Sequence, residues 1–419
     1  MPLMPQKPAT IFGSGMVRRA TLSTGLLAGL AMLLAACSGG TGDTAAGGDA
    51  VPVGVLHSLS GTMAISEIAV KNATMMAIGE VNAAGGVLGR QIAPVVEDGA
   101  SDPAIFAQKA SKLVESDDAV TVFGGWTSAS RKAMLPVFER TKNLLWYPVQ
   151  FEGNECSPNI MYSGAQPNQQ ILPALDWAKK AGHNNFFLVG SDYVFPRTAN
   201  LILKKHMEAA GLGVAGEAYV PLGGTDFSGV IARIVQSRPD IIFNTLNGDS
   251  NVAFFKQLQG AGLTSAKLPV MSFSIGEQEA QAMGPALVEG SYASWNYFQS
   301  LDLPENAKFV AAFKAKHGAD STLTDPMVHG YLNVYAWKAA VEKARSFAVD
   351  DVRKAAATLG TFATPMGPVS FANNQSLVQP ALVGRLKADG QFEIISTSEA
   401  PIQPEPFDQL AFPGQTCKH

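Results

Sequence analysis

The chain has 419 residues, a formal net charge of −4, 47% hydrophobic and 16% charged residues. That length holds two ordinary domains, and the high apolar fraction with low net charge excludes intrinsic disorder. The 31 Lys+Arg form no basic tract for a phosphate backbone, which argues against a nucleic-acid partner, and three Cys exclude a disulfide-dense scaffold or a four-cysteine zinc site.

Residues 1–20 carry Lys7, Arg18 and Arg19 and no acid, followed by the apolar run TLSTGLLAGLAMLLAA and Cys37. This is the pattern of a secretory signal peptide over residues 1–36, too short and glycine-interrupted to be a comfortable membrane span. Leu34-Ala35-Ala36-Cys37 resembles the bacterial lipobox, which implies a lipid anchor on Cys37; the alternative is a plain signal peptide beside a chance cysteine. Residues 37–50, rich in Gly, Ser, Thr and Ala, read as a flexible tether. Removing 36 of 419 residues with their three positive charges leaves 383 and takes the net charge from −4 to −7. In an oxidising compartment the two remaining thiols, Cys156 and Cys417, are expected to pair; two buried free thiols are the alternative.

From residue 51 onward short apolar runs alternate with amphipathic stretches. Strands are expected at Val51–His57, Gln91–Glu97, Val120–Gly124, Leu144–Val149, Asn185–Gly190, Asp240–Leu246, Leu268–Phe273 and Gly290–Phe298. Helices are expected at Thr62–Asn82, from the Asp102-Pro103 cap to about Asp117, and near 129–141, 168–181, 195–210, 227–237, 250–261, 304–317, 325–345 and 350–359. Short strands near 368–371, 380–387 and 391–395 follow. Such repetition means parallel sheets covered by helices, and too many units for one sheet. Two doubly wound α/β lobes are therefore expected: 51–165 with about 300–365, and 166–299 with about 366–419. The chain would cross between them near 164–167, 298–304 and 362–367, a three-strand hinge with ligand-binding loops at the strand ends.

No P-loop, G-x-S-x-G or HExxH occurs, and the six His show no metal-ligand spacing. Gly211–Gly216 matches G-x-G-x-x-G, but it follows a helix and precedes a strand, the reverse of a dinucleotide fingerprint. No catalytic residue, cofactor or metal is expected. Polar residues gather instead at strand ends. Trp126, Thr127 and Ser128 open a helix whose N–H groups suit a carbonyl oxygen or carboxylate. Asn247 and Asp249 sit at the equivalent place in the second lobe. Tyr147 and Gln150, Tyr193 and Phe195, and Glu277 follow other strands. The bland alternatives are helix capping and packing.

The segments YPVQFEG (147–153), SPNI (157–160), AQPNQQ (165–170), GSDYVFPR (190–197) and GGVLGR (85–90) resemble the amide- and urea-binding branch of type 1 periplasmic binding proteins. That resemblance implies a two-lobed clamshell, a Venus flytrap, that shuts on its ligand and docks on an ABC permease. Trp126, Ser128, Tyr147 and Tyr193 match pocket positions of the branch. Gln150 stands where its cytoplasmic amide sensors have proline, and Phe195 where they have tyrosine. Both resemble the urea transporters' lipoproteins, as do the export signal and the cysteine pair. The resemblance thus implies a monomeric, lipid-anchored, periplasmic or cell-surface protein that binds urea and is not an enzyme. Thr127 and Ser128 amides would serve the urea oxygen, Asp249, Glu277 and Gln150 its N–H donors, and the aromatic rings its faces. A short-chain amide or a branched-chain amino acid is the same-fold alternative; an extracytoplasmic hydrolase or receptor ectodomain is the different-class one.

Overall fold

The computed structural model describes residues 50–417. The expected signal peptide, Cys37 and nearly all of the tether lie outside them.

Two large sheets and a small three-stranded one organise the described chain. The first contains β1 (Val51–His57), β2 (Ile92–Asp98), β3 (Val122–Gly124), β4 (Leu145–Tyr147) and β5 (Ile160–Tyr162), ordered β2-β1-β3-β4-β5 and parallel throughout. Its early helices are α1 (Ala64–Ala83), α2 (Pro103–Glu115) and α3 (Ser128–Thr141). Asp102 caps α2 as expected, its carboxylate accepting from the N–H groups of Ala104 and Ile105, with Pro103 as the first helical residue.

The second sheet begins after α4 (Ile171–Lys180) with β6 (Asn185–Ser191), β7 (Gly213–Val220), β8 (Ile241–Thr245), β9 (Val270–Ser272) and β10 (Tyr292–Trp295). Between them run α5 (Val194–Ala209), α6 (Ser228–Ser237), α7 (Ser250–Gly260), α8 (Glu277–Met283) and the single turn α9 (Pro285–Val288). In β6, Phe186 and Leu188 enter one apolar cluster and Phe187 and Val189 another. Period-two alternation with both faces covered explains why this strand reads as a continuous apolar run.

The chain then returns through α10 (Pro304–His317), α11 (Asp325–Ala344) and α12 (Val349–Ala356). It ends in β11 (Phe362–Thr364), β12 (Gly367–Phe371), β13 (Leu377–Val378), β14 (Leu382–Leu386) and β15 (Phe392–Thr397). Helix α11 packs along α1, and both contribute to the core of the first lobe.

Two expectations need correction. The second sheet is not purely parallel. Its order is β15-β14-β10-β9-β8-β6-β7, with β14 and β15 antiparallel at one edge. The loop joining those two strands is too short for the crossover that a parallel pair requires. The third crossing also comes later than 362–367. That segment is a hairpin turn, with Thr364 opposite Gly367 in an antiparallel pair, and Val369, Phe371 and Leu377 lie in the first lobe's core. The chain passes to the second sheet only between β13 and β14.

Side-chain amides tie the three crossings together. Gln166 Nε2 donates to Ser376 Oγ at 2.7 Å, Gln169 Nε2 to the Leu377 carbonyl at 2.8 Å, and Gln379 Nε2 to the Ser163 carbonyl at 3.1 Å. Asn296 Nδ2, on the middle crossing, donates to the carbonyls of Gln169 (3.1 Å) and Pro380 (2.6 Å). All but the Gln166 bond satisfy a carbonyl that irregular backbone would otherwise leave unpaired.

Cys156 and Cys417 form a disulfide with their Cα atoms 5.6 Å apart, which pins the C-terminal tail to the loop between β4 and β5. The denatured, unreduced protein is therefore expected to show no thiol reactivity from these two positions by Ellman titration. The variant Cys417→Ser should lose about 2–4 kcal/mol of stability; an unchanged melting temperature would show that the tail needs no tether.

Candidate functional site

Loops at the carboxyl ends of both sheets meet between the lobes. From the first come His57-Ser58, Gly124–Ser128 and Tyr147–Glu152; from the second, Ser191–Tyr193, Leu246–Ser250 and Phe273–Glu277. Gly124, at φ 145°, lets its loop lie against β1: a Cβ there would stand 1.9 Å from the Leu56 carbonyl oxygen. Gly248, at φ 64°, similarly admits Thr62 of the other lobe, whose carbonyl oxygen would be 2.5 Å from a Cβ.

Hydrogen bonds at three places join the lobes across the seam. Trp126 Nε1 donates to Asn247 Oδ1 at 3.1 Å, both residues being buried. Gln150 Nε2 donates to the Phe273 carbonyl at 2.8 Å and to Ser274 Oγ at 3.0 Å. The Asp249 N–H donates to Thr62 Oγ1 at 3.1 Å and to the Thr62 carbonyl at 3.2 Å. Trp126, Gln150, Asn247 and Asp249 thus meet between the lobes, although Asp249 acts through its backbone and its exposed carboxylate makes no capping bond. Partial desolvation raises the pKa of that carboxyl above its ordinary value.

The remaining expected residues divide. Thr127 caps α3, its hydroxyl accepting from the Ser130 N–H. Ser128 Oγ donates to Glu152 and accepts from Arg131 Nη1 at 2.9 Å, and the Tyr147 hydroxyl donates to the Trp126 carbonyl. These hydroxyls are committed within their own lobe, so they shape the wall rather than offer free groups. Tyr193 is half-buried on the opposing lobe. Burial pushes its phenol well above the usual tyrosine range, helped by the neighbouring Tyr147 and Glu152. Phe195 departs from expectation: it lies 3% exposed in the apolar core with Ile171, Ala199 and Ile202, one residue into α5, where it packs against the second sheet.

Glu277 also differs from the ionised acceptor that was expected. It is fully buried, with Oε1 accepting the Gln299 N–H at 2.7 Å and no partner for Oε2. Burial, reinforced by Glu279 and Asp325, raises its pKa to about 8, so at neutral pH the carboxyl holds a proton and is both donor and acceptor.

Sequence reading missed the charged lattice behind Tyr147. Arg131 is entirely buried; its Nε donates to Glu155 Oε1 at 2.8 Å and its Nη2 to Glu152 Oε1 at 3.1 Å. Its guanidinium carbon lies 5.0 Å from the Tyr147 ring centre and 4.6 Å from that of Phe151. Lys132 Nζ reaches Glu155 Oε2 at 2.9 Å. Although burial opposes ionisation, Arg131 and Lys132 hold the Glu155 carboxyl down at about 2. Two cations face two carboxylates, and the lattice has no charge to spare. Arg131 three residues after Ser128 and the matching Glu152/Glu155 spacing were the available signals. Among the described residues, no group of three or more His, Cys, Asp or Glu could hold a metal ion.

The Glu277 environment sets a pH dependence. The folded protein keeps that proton to about pH 8, whereas an ordinary carboxyl releases it near 4.5. Stability contributed by this group is therefore full below 4.5, falls as pH rises between those values, and is flat above. Glu277→Gln, a neutral isostere, should match the parent protein near pH 5 and melt at a higher temperature at pH 9. A parent protein as stable as the variant at pH 9 would show Glu277 to be ionised at no cost.

A model of the periplasmic binding protein domain matches residues 51–412. The Leu/Ile/Val-binding protein homolog 8 of Brucella abortus is 25% identical over 84% of this chain and 92% of its own length. A limonene hydroxylase of Geobacillus stearothermophilus is 34% identical over 126 residues, and there the match spans only 23% of that protein's length. A solved ABC-transporter solute-binding protein of R. palustris, in complex with benzoate, superposes with a TM-score of 0.76 at 23% identity, covering 88% of this chain and all of its own. At that identity the likeness speaks for the fold. With two α/β lobes, three crossings and a family match over most of its length, the chain belongs to the periplasmic binding protein family, exported proteins that deliver small solutes to ABC permeases.

Proposed function

We propose that the protein captures urea between its lobes and delivers it, chemically unaltered, to an ABC permease. It would act as a monomer tethered to the membrane by a lipid on Cys37. The observation that carries this reading is charge balance at the seam. The cations at the starts of α3 and α5, Arg131, Lys132 and Arg197, are each paired with a carboxylate: Glu152 and Glu155 in the first lobe, Asp192 in the second. A zwitterionic amino acid needs counter-charges for both its ends, whereas urea is neutral and planar with one acceptor oxygen and four N–H donors. Gln150 Oε1, buried beside the inter-lobe contacts and unpaired, is an acceptor suited to such donors, and the first-turn amides of α3 suit the oxygen.

A second reading, a branched-chain amino acid, is favoured by the naming of the Brucella relative. The α3 amides would then bind the carboxylate, and the exposed Asp249 carboxylate the ammonium.

Calorimetric titration of the purified protein separates the two. Four heavy atoms at about −1.5 kcal/mol each place urea at roughly −6 kcal/mol, or tens of micromolar. Acetamide, which presents a methyl where urea has an amino group, should bind about 100-fold more weakly, and leucine should give no heat. Incubation with urea should release no ammonia. Binding of leucine in preference to urea would replace this reading with the second.

A further inference from the structure

One polar pair on the first lobe has no part in the contacts described so far. His57 ends β1 and Glu67 lies in the first turn of α1; neither has any exposed surface. Glu67 Oε2 accepts the Ser58 N–H at 2.8 Å and stands 3.2 Å from His57 Nδ1. Everything bound to this carboxylate is bound through that one oxygen. Oε1 has no partner, and neither has His57 Nε2.

A buried carboxylate oxygen left unpaired is costly. A group whose only duty was to brace β1 against α1 would gain by pairing both oxygens. An unpaired carboxyl oxygen is a hydrogen-bond acceptor. The location is also specific. The Glu67 carboxylate accepts the Ser58 N–H, and the His57-Ser58 loop at the end of β1 is one of the strand-end loops that meet between the lobes.

We propose that Glu67 recognises the second amino group of urea, the one that distinguishes urea from a simple amide, while His57 and the Ser58 amide position its carboxylate. This rests on the urea reading. Two unpaired acceptors, Gln150 Oε1 and Glu67 Oε1, then serve two amino groups. Acetamide has one amino group and can use only one of them; loss of Glu67 leaves acetamide the other.

The test is calorimetry of urea and acetamide with the full chain and with Glu67→Gln. The glutamine keeps the volume, and its oxygen can still accept from Ser58, but an NH2 then faces the ligand. The preference for urea over acetamide should fall at least about tenfold. A preference equal to that of the parent protein overturns the assignment while leaving the urea reading intact. A parent protein that fails to bind urea overturns both. If the variant does not fold, a crystal structure of the parent protein with urea decides: a urea nitrogen within about 3.2 Å of Glu67 Oε1 supports the assignment, and any other partner for that oxygen overturns it.

Discussion

The constraint on which the rest depends is the pairing of backbone groups where the chain passes between lobes. Three irregular crossings lie side by side in a buried place, and irregular backbone there has carbonyls with no ladder to join. Gln169, Gln379 and Asn296 supply the missing donors from neighbouring crossings. These bonds hold the crossings as one unit, and both sheets leave that unit with their carboxyl edges facing each other. The strand-end loops converge for that reason.

Convergence alone would bring charge against charge. The Arg131 lattice prevents it by neutralising itself within the first lobe, at the start of α3 and along the 152–155 loop. It anchors the Tyr147 wall through the guanidinium that lies against the rings of Tyr147 and Phe151. A buried ion pair of this kind is weak evidence for stability, because desolvation offsets the attraction. Its effect here is on chemistry: it leaves a polar but charge-balanced surface toward the second lobe, suited to a neutral solute. Glu277 reaches the same condition by another route, holding a proton because burial and the neighbouring Glu279 and Asp325 disfavour its anion.

Much of the architecture was legible in the chain. The alternation of apolar runs with amphipathic stretches places β1, β6, α3, α10 and α11 within one or two residues, because period-two and period-3.6 patterns are local properties. What escaped were β7, whose eight residues Gly213–Val220 mix glycine, alanine and glutamate and show no clear alternation, the short β5 and β13, with three and two residues, α8 and α9 in a stretch with little periodicity, and the hairpin turn at 362–367 that resembles a crossing. At the seam, Trp126, Gln150 and Asn247 were identifiable by their place after strands. Phe195 was not distinguishable from Tyr193, since two positions at the start of α5 separate core from cleft.

The sequence by itself determined an exported-looking α/β chain of two lobes, the residues at the strand ends, and the pair of thiols available for a bridge, since these follow from composition, periodicity and local capping. Only the tertiary structure decided which hydroxyls are already engaged, that Glu277 is protonated while Glu155 is ionised, and that Glu67 and Gln150 keep unpaired oxygens. The reason is physical. Ionisation and pairing are set by burial and by partners tens to hundreds of positions away, such as Arg131 with Glu155 or Gln150 with Ser274, and no local pattern encodes those distances.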